Sequence, residues 1–130
     1  MTVLLVSPGK RPEVREIAGD TASMEALVGG KLEINLPYID PVALICNEDG
    51  PDLGMPRNRM IFEEHIEELG VVYGVFFLCG TDNGRFYSLS EQLLEKYTDL
   101  YYAPEVFIED QSDGTLIAVS FRSSPPMPSQ

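Results

Sequence analysis

Two nearly unbroken apolar runs stand out along the chain: residues 42–46 (VALIC) and residues 71–79 (VVYGVFFLC). A strand covered on both faces reads this way, so both are expected as central strands of a sheet. Other stretches alternate. Residues 31–36 put Leu32, Ile34 and Leu36 on one side and Lys31, Glu33 and Asn35 on the other, the pattern of a strand with one wet face. Residues 105–109 and 115–121 alternate around Gln111, Ser112, Asp113 and Gly114, which predicts a hairpin. Residues 2–7 read as the first strand. Residues 13–17 are its return partner, beyond the turn Pro8-Gly9-Lys10-Arg11-Pro12. Asn83-Gly84 predicts a tight turn from the second run into a short strand at 85–87. Gly74, inside that run, predicts a bulge or the close approach of another backbone.

Helical spacing appears in three places. Met24, Leu27 and Val28 form a stripe that Asp20 or Thr21 can cap and that Gly29-Gly30 ends. Ser88-Leu89-Ser90-Glu91 fits a capping box, so a helix is expected over residues 89–99, burying Leu93, Leu94 and Tyr97. Residues 60–70 (MIFEEHIEELG) place Ile61, Phe62, His65, Ile66 and Leu69 on one helical face, which predicts a third helix. Opposing it, Glu63 with Glu67 and Glu64 with Glu68 are like charges four residues apart, each costing roughly a few tenths of a kcal/mol. These elements predict an α+β fold: a mostly antiparallel sheet of roughly five to seven strands with two or three helices packed on it. Residues 1–122 are expected as one domain, and the proline-rich residues 123–130 as a loose tail.

Composition narrows the function classes. The formal charge is −12, from 9 basic and 21 acidic residues, which opposes direct binding to a nucleic-acid backbone. No apolar run approaches the ~18 residues of a membrane helix, and the N-terminal apolar run is too short for a signal peptide. A cytoplasmic protein with no membrane partner is expected. Cys46 and Cys79 lie within apolar runs, as buried reduced thiols do. A single histidine, His65, and the absence of zinc, calcium-loop and nucleotide-binding spacings leave no cofactor expected and weigh against an enzyme.

The candidate site is the loop that leaves the first apolar run. Asn47-Glu48-Asp49-Gly50 turns the chain, and Pro51, Gly54 and Pro56 lead to Arg57, Asn58 and Arg59. Polar side chains at the end of a rigid strand are well placed for recognition. Asn47, Glu48, Asn58 and Arg59 are therefore candidate ligand- or partner-binding residues. The Arg59 fork suits a carboxylate or phosphate. A structural role is open as well, with Asn58 bonding loop backbone and Arg59 pairing with Glu48 or Asp49.

The segments VSPGKRPEVREI, VGGKLE, VALICNEDGPDLGMPRNR and YGVFFLCG form an ordered set over roughly residues 1–97. The set resembles a family of small proteins of unknown function found in bacteriophages, plasmids and other mobile elements, mainly of Firmicutes and Actinobacteria. The shared pattern falls on Asn47, Glu48, Gly50, Gly54, Pro56, Asn58 and Arg59. This chain departs from it at EEHIEE, where the family has a shorter acidic turn, and in the segment after Tyr102. The resemblance implies a mobile-element setting; it names no activity, and no catalytic residues carry over from it. Three functions remain, in this order. The first is a non-catalytic protein that binds a host protein or small-molecule ligand through the 47–59 loop. The second is an acidic mimic of nucleic acid that inhibits a DNA-binding host enzyme. The third is a small hydrolase using Glu48 or Asp49 with Asn58 and Arg59.

Overall fold

The computed structural model describes residues 1–120. Strand β1 (Thr2–Val6) returns as β2 (Glu13–Glu16), followed by α1 (Thr21–Val28), β3 (Leu32–Asn35) and β4 (Val42–Asn47). Strands β5 (Arg57–Glu63) and β6 (Glu68–Tyr73) form a hairpin, as do β7 (Phe76–Asp82) and β8 (Arg85–Tyr87). Helix α2 (Glu91–Leu100) precedes a last hairpin, β9 (Glu105–Glu109) with β10 (Leu116–Ser120). The main sheet has six strands in the order β2-β1-β7-β4-β3, with β8 beside the far end of β7. The strand pairs are antiparallel. The architecture is α+β, as the pattern predicts.

Alternation along the central strands divides the core into two layers. Leu4, Val6, Val42, Leu44, Cys46, Phe76 and Leu78 face α2 and the β5–β6 hairpin, with Tyr38, Ile61, Tyr97 and Tyr101 packed on them. Val3, Leu5, Ala43, Ile45, Phe77 and Cys79 face the other way, against Met24 and Val28 of α1. Strands β1, β4 and β7 are continuously apolar because both of their faces are covered. Cys46 and Cys79 are buried free thiols, one in each layer. Burial pushes both thiols above the usual range, which leaves little thiolate to react.

Several expectations are corrected. The helix predicted at 60–70 is the β5–β6 hairpin: Phe62 lies opposite Leu69 and Glu63 opposite Glu68. Apolar residues at 60–62 and 69–73 can be read with either period, and strand pairing exchanges the two like-charge i,i+4 pairs of the helical alternative for a single cross-strand one, Glu63 with Glu68. His65 sits exposed in the connecting turn, with Nε2 2.9 Å from the Tyr38 carbonyl oxygen. The run 71–79 is two strands, broken at Gly74, so Val71 and Val72 belong to the hairpin and only β7 is central. The cap of α2 is Ser90, which accepts from the Leu93 amide at 3.3 Å. Ser88 instead accepts from the Thr2 amide at 2.8 Å. Of the three residues expected to be buried on α2, Tyr97 is, and Leu93 and Leu94 are half-buried. The tail expected at 123–130 lies outside the described residues.

Gly74 is the joint between hairpin and sheet. Its φ is +76°, and a Cβ there would lie 2.7 Å from Met55 Sδ. The Asn83-Gly84 turn also takes positive φ at both residues, 50° and 76°, the conformation that matches strand twist in a two-residue hairpin. Replacing Gly74→Ala is expected to destabilise the protein by about 1–2 kcal/mol from the backbone alone. The added change Met55→Ala should relieve the contact without restoring wild-type stability. Urea unfolding of the two variants measures both effects.

Candidate functional site

Asn58 and Arg59 follow Arg57 at the start of β5, and both are 0% exposed. In a regular strand neighbouring side chains point to opposite faces. Here the β5–β6 register shifts between Arg57 and Arg59, and such a bulge re-aims side chains. Asn58 Nδ2 donates to the carbonyl oxygens of Val6 at 2.9 Å and Gly74 at 2.8 Å. It thereby joins the end of β1 to the hinge between hairpin and sheet. Asn58 Oδ1 accepts from Arg59 Nη1 at 2.8 Å. Arg59 Nη2 donates to the carbonyl oxygens of Lys10 at 2.7 Å and Tyr101 at 3.0 Å.

The guanidinium therefore ties the β1–β2 turn to the end of α2. It bonds neither Glu48 nor Asp49 among the described residues, so the structural pairing expected with those acids is replaced by main-chain acceptors. Burial lowers the Arg59 pKa, and the nearby Glu105 carboxylate opposes that shift. The Arg59 Nε atom is buried without a partner among the described residues.

Asn47 is also buried. Its Nδ2 donates to the Val28 carbonyl oxygen at 3.3 Å, and its Oδ1 accepts from the Asp49 amide at 2.8 Å. The second bond is the Asx turn that starts the loop. The first fastens the end of α1. Glu48 and Asp49 are exposed. The fold thus brings Asn58 and Arg59 into contact, sets Asn47 apart under the end of α1, and leaves Glu48 on the surface. A ligand could reach Asn47, Asn58 or Arg59 only by opening this packing.

A depression of about 340 Å³ flanks the loop on the α1 side, lined by Pro8, Leu27, Val28, Met55, Pro56 and Val75. It carries no charged lining. A groove of similar volume, about 340 Å³, lies on the opposite side of the sheet, between the β5–β6 hairpin and α2. Its apolar walls are Met60, Phe62, Leu69 and Leu100, around Tyr38, Tyr97 and Tyr101, and its charged groups are Glu64, Lys96 and Glu105. Sequence reading missed this site, because its residues come from segments far apart in the chain. The signal was the helical spacing of Leu93, Tyr97, Leu100 and Tyr101, which continues past the expected end of the helix.

The tyrosine hydroxyls in the groove are already engaged. Those of Tyr38 and Tyr101 bond each other, and that of Tyr97 donates to Asp40 Oδ2 at 2.9 Å. Burial raises all three pKa values above the ordinary tyrosine range, so the rings stay neutral. Glu64 Oε1 accepts from the Ile39 amide at 3.1 Å, and Glu105 Oε1 from the Met60 amide at 2.7 Å. A carboxylate accepts about four hydrogen bonds, so both retain capacity for a cationic donor. Lys96 Nζ lies 2.6 Å from Asp40 Oδ2. This bond, followed by the one from Tyr97, holds the Asp40 carboxyl below the usual range, and the same pair raises Lys96. Among the described residues, no group of three or more His, Cys, Asp or Glu side chains could hold a metal ion, and no helix is long and apolar enough to cross a membrane.

Two measurements check this geometry. Arg59→Ala removes the donor from four acceptor oxygens, the Asn58 carbonyl and Oδ1 and the Lys10 and Tyr101 carbonyls, and should destabilise the fold by about 3 kcal/mol, or roughly 10 °C in Tm. Arg59→Lys should recover part of the loss, and Glu48→Ala should stay within ~0.5 kcal/mol of wild type. Asp40 should titrate below the ~3.9 of a free aspartate, followed by carbon-detected NMR. In Lys96→Met its midpoint should rise. Because the folded pKa is depressed, this cluster's contribution is present above the unfolded pKa and is lost as pH falls through the folded value.

No curated protein and no solved structure matches the chain. A family described as a domain of unknown function, DUF3846, matches residues 1–102, from β1 through α2. The chain belongs to the DUF3846 family.

Proposed function

We propose that this chain is a non-catalytic binding protein whose ligand site is the groove between the β5–β6 hairpin and α2. The ligand class is an apolar group, on a small molecule or a partner protein, with a positive charge beside it. The observation that carries the reading is the groove's apolar wall. Phe62, Leu69 and Leu100 are 49%, 67% and 59% exposed and share one cavity of about 340 Å³. Clustered apolar side chains left open to water mark interaction sites, and the volume is at the lower end for ligand pockets.

Polar groups support the choice of this cavity over the depression beside the loop. Glu64 and Glu105 can orient a cation, whereas the other cavity offers nothing to orient a ligand. The net charge of −12 attracts basic partners. In this reading Asn58 and Arg59 contribute by holding the walls in place, Asn47 fastens the end of α1 on the other side of the sheet, and Glu48 adds to the acidic surface. The setting we attach is that of a bacteriophage or mobile-element accessory protein acting on a host component in the bacterial cytoplasm. Its supports are the ordered resemblance over residues 1–97 and two buried free thiols.

Fluorescence of the neutral probe phenylnaphthylamine tests the groove. Emission should rise and shift to the blue with wild-type protein, and most of the rise should be lost in Phe62→Glu and Leu100→Glu. Leu53→Glu, in the distant loop, should retain it. An equal rise in the two groove variants, or its loss only in Leu53→Glu, would discard the groove.

A further inference from the structure

We propose that Lys96 fills, from within the chain, the cation subsite of the groove, and that a small apolar amine binds by displacing it. The inference rests on the reading of the groove as a binding site and names the ligand's charged group, a primary ammonium.

The subsite is defined by what already sits in it. Lys96 Nζ donates to Asp40 Oδ2 at 2.6 Å and lies 5.5 Å from the centre of the Tyr97 ring, within reach of cation–π attraction. Glu64 accepts from the amide of Ile39, the residue before Asp40, which brings a second carboxylate to the same place. The bond to Asp40 and, less strongly, the charge of Glu64 raise the Lys96 pKa. Two carboxylates and a ring thus converge on one ammonium, beside a cavity whose walls are apolar. With two acids facing one cation, the place stays negative while Lys96 occupies it.

The occupant is exchangeable. The Lys96 side chain is 57% exposed, so its head can turn out to water, and exposed ion pairs hold weakly. Asp40 Oδ2 also accepts from the Tyr97 hydroxyl at 2.9 Å, so the carboxylate keeps a donor when Lys96 leaves. Glu105 suits the role less, because its charge already acts on the buried Arg59 guanidinium, which main-chain acceptors hold in place. The chemistry of the incoming group follows from the occupant. The subsite bonds an N–H, which a primary ammonium supplies and a quaternary one lacks. A cavity of about 340 Å³ is large for one lysine side chain of a partner protein and suits a whole small molecule. Its apolar body would lie against Phe62, Leu69 and Leu100.

The probe is naphthylethylammonium, compared with neutral naphthylethanol and with the trimethylammonium form of the amine, each titrated calorimetrically into the full chain at neutral pH. Amine and alcohol should both displace phenylnaphthylamine, and the amine should bind more tightly than the other two. Lys96→Met keeps the apolar stem and removes the competitor, so it should tighten the amine about fivefold and leave the alcohol unchanged. Asp40→Asn added to it should abolish that gain while phenylnaphthylamine fluorescence persists. Amine binding that is unchanged or weaker in Lys96→Met, or a gain shared equally by the alcohol, would overturn the proposal while leaving the groove intact. Tighter binding of a capped leucine–lysine–leucine peptide than of the amine would overturn it in favour of a partner's lysine. Absence of any phenylnaphthylamine fluorescence would reject the groove and this subsite together.

Discussion

The arrangement depends on a cation and an amide placed where neither can see water. Asn58 and Arg59 carry the largest polar demand in the core, and main-chain carbonyl oxygens meet most of it. Each bond ends on a different part of the chain: β1, the β1–β2 turn, the hinge at Gly74 and the end of α2. Buried polar groups without partners are costly, so these four places are held in register by the requirement that the donors be satisfied. A core of hydrophobic side chains alone tolerates small shifts. A network of directed bonds does not.

The groove follows from that constraint. Arg59 fixes the start of β5, and the next residue, Met60, lies in the groove wall. The same guanidinium holds the Tyr101 carbonyl oxygen, and Tyr101 lies in the groove as well. Hairpin and helix cannot separate without stranding these bonds. The tyrosines then complete a ring-lined surface, because their hydroxyls bond one another and Asp40. Asn58 and Arg59 are thus buried beside the groove, and its surface is mainly aromatic and aliphatic, with Glu64, Lys96 and Glu105 among its lining.

Charge is distributed around this apolar surface. Glu64 and Glu105 each anchor a backbone amide while keeping the groove acidic, so the same carboxylates serve structure and potential. Lys96 is held close to Asp40, which neutralises one acid locally and leaves the overall sign negative. Recognition at the groove, in the binding role proposed above, would be dominated by apolar contact at short range. In that role the net charge would act earlier, on the approach of a partner.

Continuous apolar runs determined the central strands by themselves: residues 42–46, and residues 76–79 within the longer run, are buried because a strand without polar positions has no face to give to water. The turns at Asn83-Gly84 and Gln111–Gly114 were legible for a similar reason, since backbone geometry at those positions is local. Residues 60–70 were not. Their apolar positions fit both periods, and only pairing of Phe62 with Leu69 across a turn decides for the hairpin. Arg59 shows the limit most plainly. An arginine beside an asparagine after a proline reads as a surface pair, because charged side chains are rarely buried whole. Its acceptors are carbonyl oxygens at positions 10 and 101, and nothing local in the sequence says that they will meet it. Local chemistry set the strands and turns. The burial of a cation, and with it the groove, was decided by contacts between segments that approach one another only in the folded chain.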